Sequence, residues 1–178
     1  MKLDKNIEII TERLRFIIVN EQYKEDIFRE LTPTVAKFLP FIPTGKIEDT
    51  QGFIDYSLGQ LEKGQDITLL ALDKQTGEFI GCCGIHDINE ENISLGIWLK
   101  EGAFGKGYGT ELIQGLETYV NQNMSVDYLI YNVERDNHGS IKIAEKLGYV
   151  FHNEFVRNIS EEKILNMLQY RKVNNKHL

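Results

Sequence analysis

A run of glycines just past the middle of the chain has the residue types and spacing of an anion-binding loop. It reads Gly105-Lys106-Gly107-Tyr108-Gly109-Thr110. Glycine lets a backbone turn tightly and lets a ligand contact the main chain. Apolar residues at helical spacing follow at once, so free amides and the positive end of the helix dipole would face the same ligand. The loop therefore predicts a phosphate or pyrophosphate site, and the alternative is a glycine-rich turn without chemistry.

The spacing of this loop excludes the two common nucleotide fingerprints. The dinucleotide pattern G-x-G-x-x-G requires glycine where Thr110 stands. A P-loop requires Ser or Thr directly after its Gly-Lys pair, whereas Gly107 follows Lys106. A different phosphate-containing ligand is therefore expected.

Hydrophobic periodicity predicts the elements that position the loop. Apolar residues alternate with small or polar residues over 93–99, which predicts a strand leading into the loop. Residues 110–123 carry apolar side chains on one helical face, and 128–133 is typical of another strand. The order strand, loop, helix, strand predicts a βαβ unit whose two strands are parallel.

Further elements are expected on both sides of this unit. Before it we predict a strand over 7–19 interrupted by Thr11-Glu12-Arg13, helices over 22–31 and from Asp49 or Thr50 to about 62, and strands over 66–73 and 79–88 joined by a hairpin turn. After it we predict a short helix from Asn137 to Leu147 with Gly148 as its C-terminal cap, then strands over 154–159 and 163–172. No repeat or linker divides the chain, so residues 1–178 are expected to form a single domain.

Composition and charge exclude several classes of protein. With 42% hydrophobic and 26% charged residues, the chain resembles soluble globular proteins. No apolar stretch approaches the ~18 residues of a membrane span, so no membrane partner is expected. The net charge of −7 disfavours nucleic-acid binding and mildly favours a cationic partner.

The N-terminal residues and the two cysteines indicate the cellular location. Charged and apolar side chains are mixed in the first residues, which lack the apolar segment of a signal peptide. Cys82 and Cys83 are adjacent, a spacing that suits neither a metal site nor a structural disulfide. We therefore expect no metal and a cytoplasmic location. The oligomeric state is not readable, and a homodimer is one of the states left open.

Four sequence patterns, one of them in two parts, resemble the GCN5-related N-acetyltransferase (GNAT) superfamily. The glycine loop resembles its acetyl-CoA pyrophosphate loop, Q/R-x-x-G-x-G/A. Residues 134–140 (ERDNHGS) and 145–149 (EKLGY) resemble the E-x-x-N-x-x-S…EKLGF signature of the subfamily that acetylates the N-terminal alanine or serine of ribosomal proteins. Residues 11–14 (TERL) and 95–99 (LGIWL) resemble that subfamily's first and central strands.

This resemblance implies an α/β fold, the GNAT acyl-CoA N-acyltransferase fold. Its twisted, mixed and mostly antiparallel sheet is flanked by helices, and its parallel fourth and fifth strands splay apart around the pantetheine arm. The resemblance also implies an N-acetyltransferase that uses acetyl-CoA as co-substrate and passes the acetyl group directly to a primary amine.

The resemblance assigns roles to particular residues. Loop amides would hold the pyrophosphate, central-strand main-chain groups would pair with pantetheine, and Asn137 and Ser140 would contact the arm and its sulfur. These coenzyme-binding residues are Ile97, Leu99, Gly105, Lys106, Gly107, Tyr108, Gly109, Thr110, Asn137 and Ser140. Ile97 is alternatively a core side chain, and Asn137 a helix N-cap. Lys142 and Lys146 would either contact the 3′-phosphate or lie on a solvated helix face.

Catalysis requires a neutral amine, a stabilised oxyanion and a proton for the departing thiolate. The glutamate that related enzymes carry on the central strand is replaced by Ser94, and the tyrosine that other branches use as thiolate acid is replaced by Ala144. Ser140 is therefore the predicted catalytic residue, assisting the thiolate, and the base is left unassigned. The candidate bases are Glu90, Glu91, His86 and His138.

The expected acceptor is the N-terminal α-amine of a protein or peptide. An α-amine titrates near ~7.7 and a lysine amine near ~10.4, a difference of about 3.7 kcal/mol in free-base population, so a site without an obvious base favours the α-amine. The alternatives are a small-molecule amine and a non-catalytic domain that binds CoA. The proline-punctuated stretch 38–43 is predicted to border the acceptor cleft.

Overall fold

The computed structural model describes residues 6–174; residues 1–5 and 175–178 of the predicted domain lie outside this range. The strands are β1 (Glu8–Ile10), β2 (Leu14–Ile18), β3 (Ile67–Asp73), β4 (Phe79–His86), β5 (Asn92–Leu99), β6 (Tyr128–Glu134), β7 (Val150–Asn158) and β8 (Ile164–Val173). The helices are α1 (Lys24–Glu30), α2 (Pro33–Ala36), α3 (Ile47–Lys63), α4 (Tyr108–Asn123) and α5 (His138–Lys146), with 3₁₀ turns at Glu21–Tyr23 and Glu101–Ala103.

These strands form one sheet in the order β1-β2-β3-β4-β5-β6-β8-β7. Neighbouring strands are antiparallel except β5 and β6, which are parallel and joined through α4. The predicted α/β fold, with a mixed and mostly antiparallel sheet and a parallel pair on either side of α4, is confirmed. The predicted break at residues 11–13 is also confirmed, because it divides the first strand into β1 and β2.

The parallel pair separates before its strands end. Pairing between β5 and β6 runs from Asn92 and Tyr128 to Leu95 and Tyr131 and stops there. Beyond that point β5 stays paired with β4 as far as Leu99, while β6 follows β8. Each strand keeps a partner on its outer side, so the twist of the sheet opens a gap between their carboxyl ends. These are the fourth and fifth of the predicted strands, and the predicted splay is present.

Helices cover both faces of the sheet with apolar layers. On one face α4 buries an apolar stripe, chiefly against β5, formed by Leu112, Ile113, Leu116 and Val120. On the other face α1 and α3 pack against β3 and β4 through Ile27, Ile54, Leu70, Leu72 and Cys82. Full burial of one such aliphatic side chain contributes roughly 1.5–3 kcal/mol, so these layers fix the position of β5 in the centre of the sheet.

The start of α3 differs from the prediction. The helix begins at Ile47 with Lys46 as its N-cap, so neither Asp49 nor Thr50 caps it. Asp49 instead lies in the first turn, where an acidic side chain is favoured by the helix dipole, and accepts a hydrogen bond from the Thr44 hydroxyl. The predicted N-cap lies too late in the chain because aspartate is favoured both as an N-cap and in the first turn of a helix.

Two further elements were missed or begin earlier than predicted. The single turn of α2 was not predicted; Thr32 caps it with a hydrogen bond from the Val35 amide (3.2 Å), and Pro33 is its first residue. Strand β7 begins at Val150, four positions before the predicted start at 154. Most of its side chains are exposed on both faces, so no alternation marks it, and a bulge interrupts its pairing with β8.

Both ends of α5 agree with the prediction. Asn137 is its N-cap, and Gly148 follows its last turn with φ of 79°, a left-handed conformation that favours glycine. Among residues 6–174, no helix is long and apolar enough to cross a bilayer.

Candidate active site

The glycine loop has a conformation suited to anion binding. Gly105 and Gly107 have φ of 70° and 81°, a region that other residues enter only with strain. Gly107 is the N-cap of α4, and the Glu111 amide donates to the Gly107 carbonyl at 3.3 Å. The amides of residues 108–110 precede that bond and have no partner within the helix. Free amides at a helix N-terminus are the arrangement that binds phosphate groups.

The third glycine of the loop has a packing role. Gly109 is buried, and a Cβ at this position would lie 2.7 Å from Cδ1 of Ile143 and 3.4 Å from Cδ1 of Ile97. A side chain at position 109 would force the end of the Ile143 side chain to move, so glycine suits the close packing of α4, α5 and β5. The sequence prediction gave Gly109 a role through its amide alone; the structure adds this steric role.

Glu111 connects the loop to the N-terminal strands. Its carboxylate accepts hydrogen bonds from the Thr11 hydroxyl (2.6 Å), the Arg13 amide (2.7 Å) and Arg13 Nε (2.7 Å). Burial alone would raise the pKa of Glu111, but these bonds and the charge of Arg13 together hold it below its usual value. The segment 11–14, which the sequence analysis selected only by resemblance, is therefore the anchor of the α4 N-terminus.

Arg13 reaches further, into the glycine loop itself. Its guanidinium donates to the Lys106 carbonyl at 2.9 Å and lies 4.2 Å from the centre of the Tyr108 ring. Lys106 is exposed, and its ammonium donates to the Gly102 carbonyl at 2.6 Å. Two cationic side chains thus border the loop. Sequence reasoning identified Lys106 and missed Arg13, because the contact joins segments 93 residues apart.

Ile97 and Leu99 lie on the part of β5 that has left β6. Their side chains are partly buried and pack against the core on the α4 side. Their main chains pair with β4 on one side, at Cys83 and Gly81. The edge that faces β6 is left open at this point, so both sequence interpretations, core packing and an available main-chain edge, are compatible with the position.

A cavity of about 1080 Å³ opens on the other side of the gap between β5 and β6. Its floor includes Ser94, Gly96 and Trp98 of β5, and its far wall is the stretch 38–46. Lys163 fastens this wall, donating to the Ala36 carbonyl at 2.8 Å and the Phe41 carbonyl at 2.7 Å. The predicted position of stretch 38–43 at the border of a cleft agrees with this geometry.

Tyr131 of β6, the α5 N-cap Asn137 and Ser140 in the first turn of α5 line the cavity. Asn137 Oδ1 accepts a hydrogen bond from the Ser140 amide at 3.2 Å, so this oxygen caps α5, as the alternative interpretation proposed. Its Nδ2 group is not used by that bond. Burial raises the pKa of Tyr131 to about 12, and the neighbouring Ser140 side chain acts in the opposite direction. Tyr131 was missed from sequence because its alternation pattern is that of a core residue.

Positions 94 and 144 differ in what they could do. Ser94 lines the cavity, and Asn132 Nδ2 donates to its hydroxyl at 3.4 Å, while Asn132 Oδ1 is buried without a hydrogen-bond partner among the described residues. Ala144 is fully buried in the core. Neither a serine hydroxyl nor an alanine methyl is a base, and alanine has no proton to give, so position 94 supplies no general base and position 144 no acid.

The structure separates the candidate bases. Glu90 and Glu91 are exposed in the loop before β5, and His138 is exposed at the start of α5; none of the three lines the cavity. His86 does line it. So does the buried Glu134, whose Oε2 accepts a hydrogen bond from the Asp136 amide at 2.6 Å. Lys142 and Lys146 are exposed on α5, as expected for a solvated helix face.

The chain is similar in sequence to known acetyltransferases. A family model described as acetyltransferase (GNAT) domain matches residues 13–150. The chain is 28% identical over 119 residues, 66% of its own length and 67% of the relative's, to a protein described as uncharacterized N-acetyltransferase p20 from Bacillus licheniformis.

Two solved structures resemble the chain in fold. The first is described as RimL, ribosomal L7/L12 alpha-N-protein acetyltransferase, in complex with coenzyme A; it has a TM-score of 0.80 and 13% identity, with 94% of this chain and 98% of that chain covered. The second is spermidine N-acetyltransferase from Vibrio cholerae in complex with CoA and spermine; it has a TM-score of 0.80 and 14% identity, with 93% of this chain and 98% of that chain covered. At these identities the likeness concerns the fold.

Proposed function

Since the chain belongs to the acetyltransferase (GNAT) family, whose members are N-acetyltransferases that use acetyl-CoA, we propose that it acetylates the N-terminal α-amine of a protein or peptide. One observation carries the proposal. The anion-binding loop at the end of β5 and the Asn137–Ser140 turn at the end of β6 flank the same gap, and the gap opens on the 1080 Å³ cavity. A coenzyme in the gap would present its thioester to an acceptor in the cavity.

Acetyl-CoA would lie across the splayed strands. The amides of residues 105–110 would bind its pyrophosphate, with Lys106 near the phosphates. The open main-chain edge at Ile97 and Leu99 would pair with the pantetheine arm as an added strand does. Asn137 would use Nδ2 toward the arm while its oxygen caps α5.

The reaction would be a direct transfer. The amine nitrogen attacks the thioester carbonyl carbon, the C–S bond breaks, and the thiolate leaves while it is hydrogen-bonded to Ser140 and takes up a proton. Tyr131 and Ser140 both line the cavity, so the serine side chain lies beside a buried phenol near the end of β6. Main-chain amides of the open β5 edge would stabilise the oxyanion.

The charges that line the cavity favour an acceptor with a single amine. Three acidic side chains, Asp49, Asp87 and Glu134, are accompanied by three basic ones, Arg29, Lys46 and Arg157. A polyamine carries several positive charges and would meet the three basic side chains, whereas a peptide N-terminus presents one amine and a polar backbone. The cavity is also larger than a small amine requires.

The second candidate is a small-molecule amine, since one of the two solved structures acts on spermidine. The third is a domain that binds CoA without catalysis, which the loss of the usual carboxylate at position 94 favours.

A cytoplasmic location belongs to the main proposal, supported by the free, buried thiols of Cys82 and Cys83.

A mass-spectrometric acceptor screen with acetyl-CoA tests the proposal. The panel contains peptides with free N-termini and no lysine, the same peptides with blocked N-termini and one lysine, and spermidine. We expect acetylation of the first set alone. Acetylation of spermidine alone would establish the small-amine function. Binding of CoA without turnover of any amine would establish the non-catalytic domain.

A further inference from the structure

His86 occupies a position in the cavity that no motif marks. It is the last residue of β4, and its partner across the β4–β5 ladder is Ser94, the position where related enzymes carry a glutamate. His86 and Ser94 both line the cavity. The imidazole is therefore next to the site of the missing carboxylate, on the neighbouring strand.

Two glycines make room for the imidazole. Gly84 and Gly96 are partners on β4 and β5. A Cβ at Gly84 would lie 2.6 Å from Cε1 of His86 and would also overlap Nε2, and a Cβ at Gly96 would lie 3.4 Å from both Cδ2 and Nε2. The ring thus lies over this glycine pair, and any side chain at Gly84 would displace it. The two glycines therefore provide the space that the imidazole occupies.

A carboxylate faces the other edge of the ring. Nδ1 of His86 is 3.8 Å from Oδ2 of Asp66, while Oδ1 of Asp66 accepts a hydrogen bond from the Asp87 amide at 2.9 Å. The interaction with His86 lowers the pKa of Asp66 below its usual value, against the effect of its partial burial. Asp66 therefore stays ionised and would stabilise an imidazolium.

The backbone next to His86 is held in an unusual conformation. Asp87 has φ of 54°, and no other non-glycine residue among residues 6–174 has a positive φ. The Ile88 amide donates to the Gln65 carbonyl at 3.0 Å, so Gln65 and Asp66 both hold the segment after β4 against the segment before β3. Strained conformations of this kind persist where surrounding contacts enforce them, and here the contacts bring Asp66 to His86.

We propose that His86 is the general base of the acetyl transfer, with Nε2 taking the proton of the acceptor amine and Asp66 positioning the ring. This inference rests on the proposed function. As the N–C bond forms, the amine proton passes to Nε2; the C–S bond then breaks, and the thiolate takes up a proton at the Ser140 side, so one proton moves in net from nitrogen to sulfur. The side chain of His86 is 38% exposed, so the imidazolium can return its proton to solvent.

The test uses the full chain with an acceptor from the screen. His86→Ala is expected to lower kcat roughly 10²- to 10⁴-fold, the range of a lost general base, with the Kd of acetyl-CoA unchanged. Added imidazole should restore part of kcat, because the space over Gly84 and Gly96 is vacated. A purely structural role would not respond to imidazole. His152→Ala, an exposed histidine on β7 outside the cavity, is the matched control and should keep wild-type kcat without an imidazole effect.

Asp66→Asn provides a second variant with a smaller change in volume. It is expected to lower kcat roughly tenfold or more, because the imidazolium loses its carboxylate, while the KM of acetyl-CoA is unchanged. The assignment would be wrong if His86→Ala kept the wild-type kcat. It would also be wrong if His86→Ala had the wild-type Tm and imidazole did not restore its lost kcat. Either result would leave the proposed function intact. If the wild-type chain acetylates no amine, the proposed function fails first and the assignment with it.

Discussion

At the scale of single residues, the site depends on side chains that do two jobs with different atoms. Asn137 caps α5 through its oxygen, and its nitrogen is left for a ligand. The Ser140 amide donates to Asn137, while the Ser140 side chain lies near Tyr131 in the cavity lining. Structural and chemical roles can therefore be separated by choosing which atom a substitution removes.

Replacement of Ser140 by alanine removes the hydroxyl and keeps the amide that Asn137 caps. We expect Ser140→Ala to lower kcat roughly ten- to a thousandfold, in the range of a lost proton donor or single hydrogen-bond donor, with little change in Tm or in the Kd of acetyl-CoA. Asn137→Ala should show the complementary effect on the fold, a loss of about 1 kcal/mol of stability from the missing cap. Steady-state kinetics, calorimetry and thermal unfolding of both variants make the comparison. An unchanged kcat in Ser140→Ala would end its catalytic assignment.

At the scale of elements, two independent features set the conformation and position of the loop before α4. Glycines at 105 and 107 provide the left-handed turns. Glu111, one turn into α4, holds Thr11 and Arg13 and so places the loop against the N-terminal strands. The first feature depends on backbone geometry and the second on charge, so a glycine substitution tests the first and a change of pH tests the second.

Gly107→Ala tests the backbone geometry. Alanine in a left-handed conformation costs roughly 1–2 kcal/mol, so the loop should relax and the Kd of acetyl-CoA should rise at least about tenfold. Gly77, in the turn between β3 and β4, has φ of 75° and open space around its Cα, so Gly77→Ala carries the same strain away from the loop. Calorimetric titration of both variants should show weaker binding only for Gly107→Ala. Equal affinity for the two would place the pyrophosphate elsewhere.

Glu111→Gln tests the charged anchor through pH. A carboxyl whose folded-state pKa is lowered adds stability above its unfolded pKa, and this stability is lost as the pH falls through the folded value. The free energy of unfolding of the wild type should therefore fall between about pH 5 and about pH 3 more steeply than that of Glu111→Gln. Glu12→Gln, at an exposed neighbouring carboxylate, is the control. Parallel pH profiles for Glu111→Gln and the wild type would contradict the anchor.

At the scale of the whole molecule, α4 joins the glycine loop to β8. Its buried Glu117 accepts hydrogen bonds from Nζ of Lys172 on β8 at 3.1 and 2.9 Å. Tyr149 lies beside this pair; burial and the charge of Glu117 raise its pKa. One ion pair thus ties the helix that starts at the loop to the last strand of the sheet.

Breaking this ion pair should affect stability and leave coenzyme binding alone. Lys172→Met leaves the Glu117 carboxylate covered and uncompensated, and we expect a loss of about 2 kcal/mol, below the range for fully buried pairs because Lys172 is partly exposed. The double variant Glu117→Gln, Lys172→Met should lose less than the sum of the single variants. Urea unfolding measures the cycle, and the Kd of acetyl-CoA should stay at the wild-type value. Additive losses would show that the two side chains do not interact.

The sequence by itself determined the features that depend on neighbours along the chain. The alternation over 93–99, the helical face after Thr110, the glycine turns at 105 and 107 and the cap at Gly148 all follow from local conformational preferences. These signals sufficed to predict the parallel pair and the order of the elements other than α2, whereas the fold class was implied by the resemblance to the GNAT superfamily. They were weakest where a strand is exposed on both faces, as in β7, or where a first-turn acid resembles a cap, as at Asp49.

Only the tertiary structure decided which distant side chains meet. Asp66 reaches His86 because β3 and β4 pair in a particular register, and Glu111 reaches Thr11 and Arg13 because α4 lies across the sheet over β1 and β2. The position of Ser140 beside Tyr131 is likewise set by where β6 ends. Strand register and helix placement are fixed by the burial of many apolar side chains together, so no short motif contains them. The residue types for catalysis can be read in the chain, and their grouping depends on the packed core.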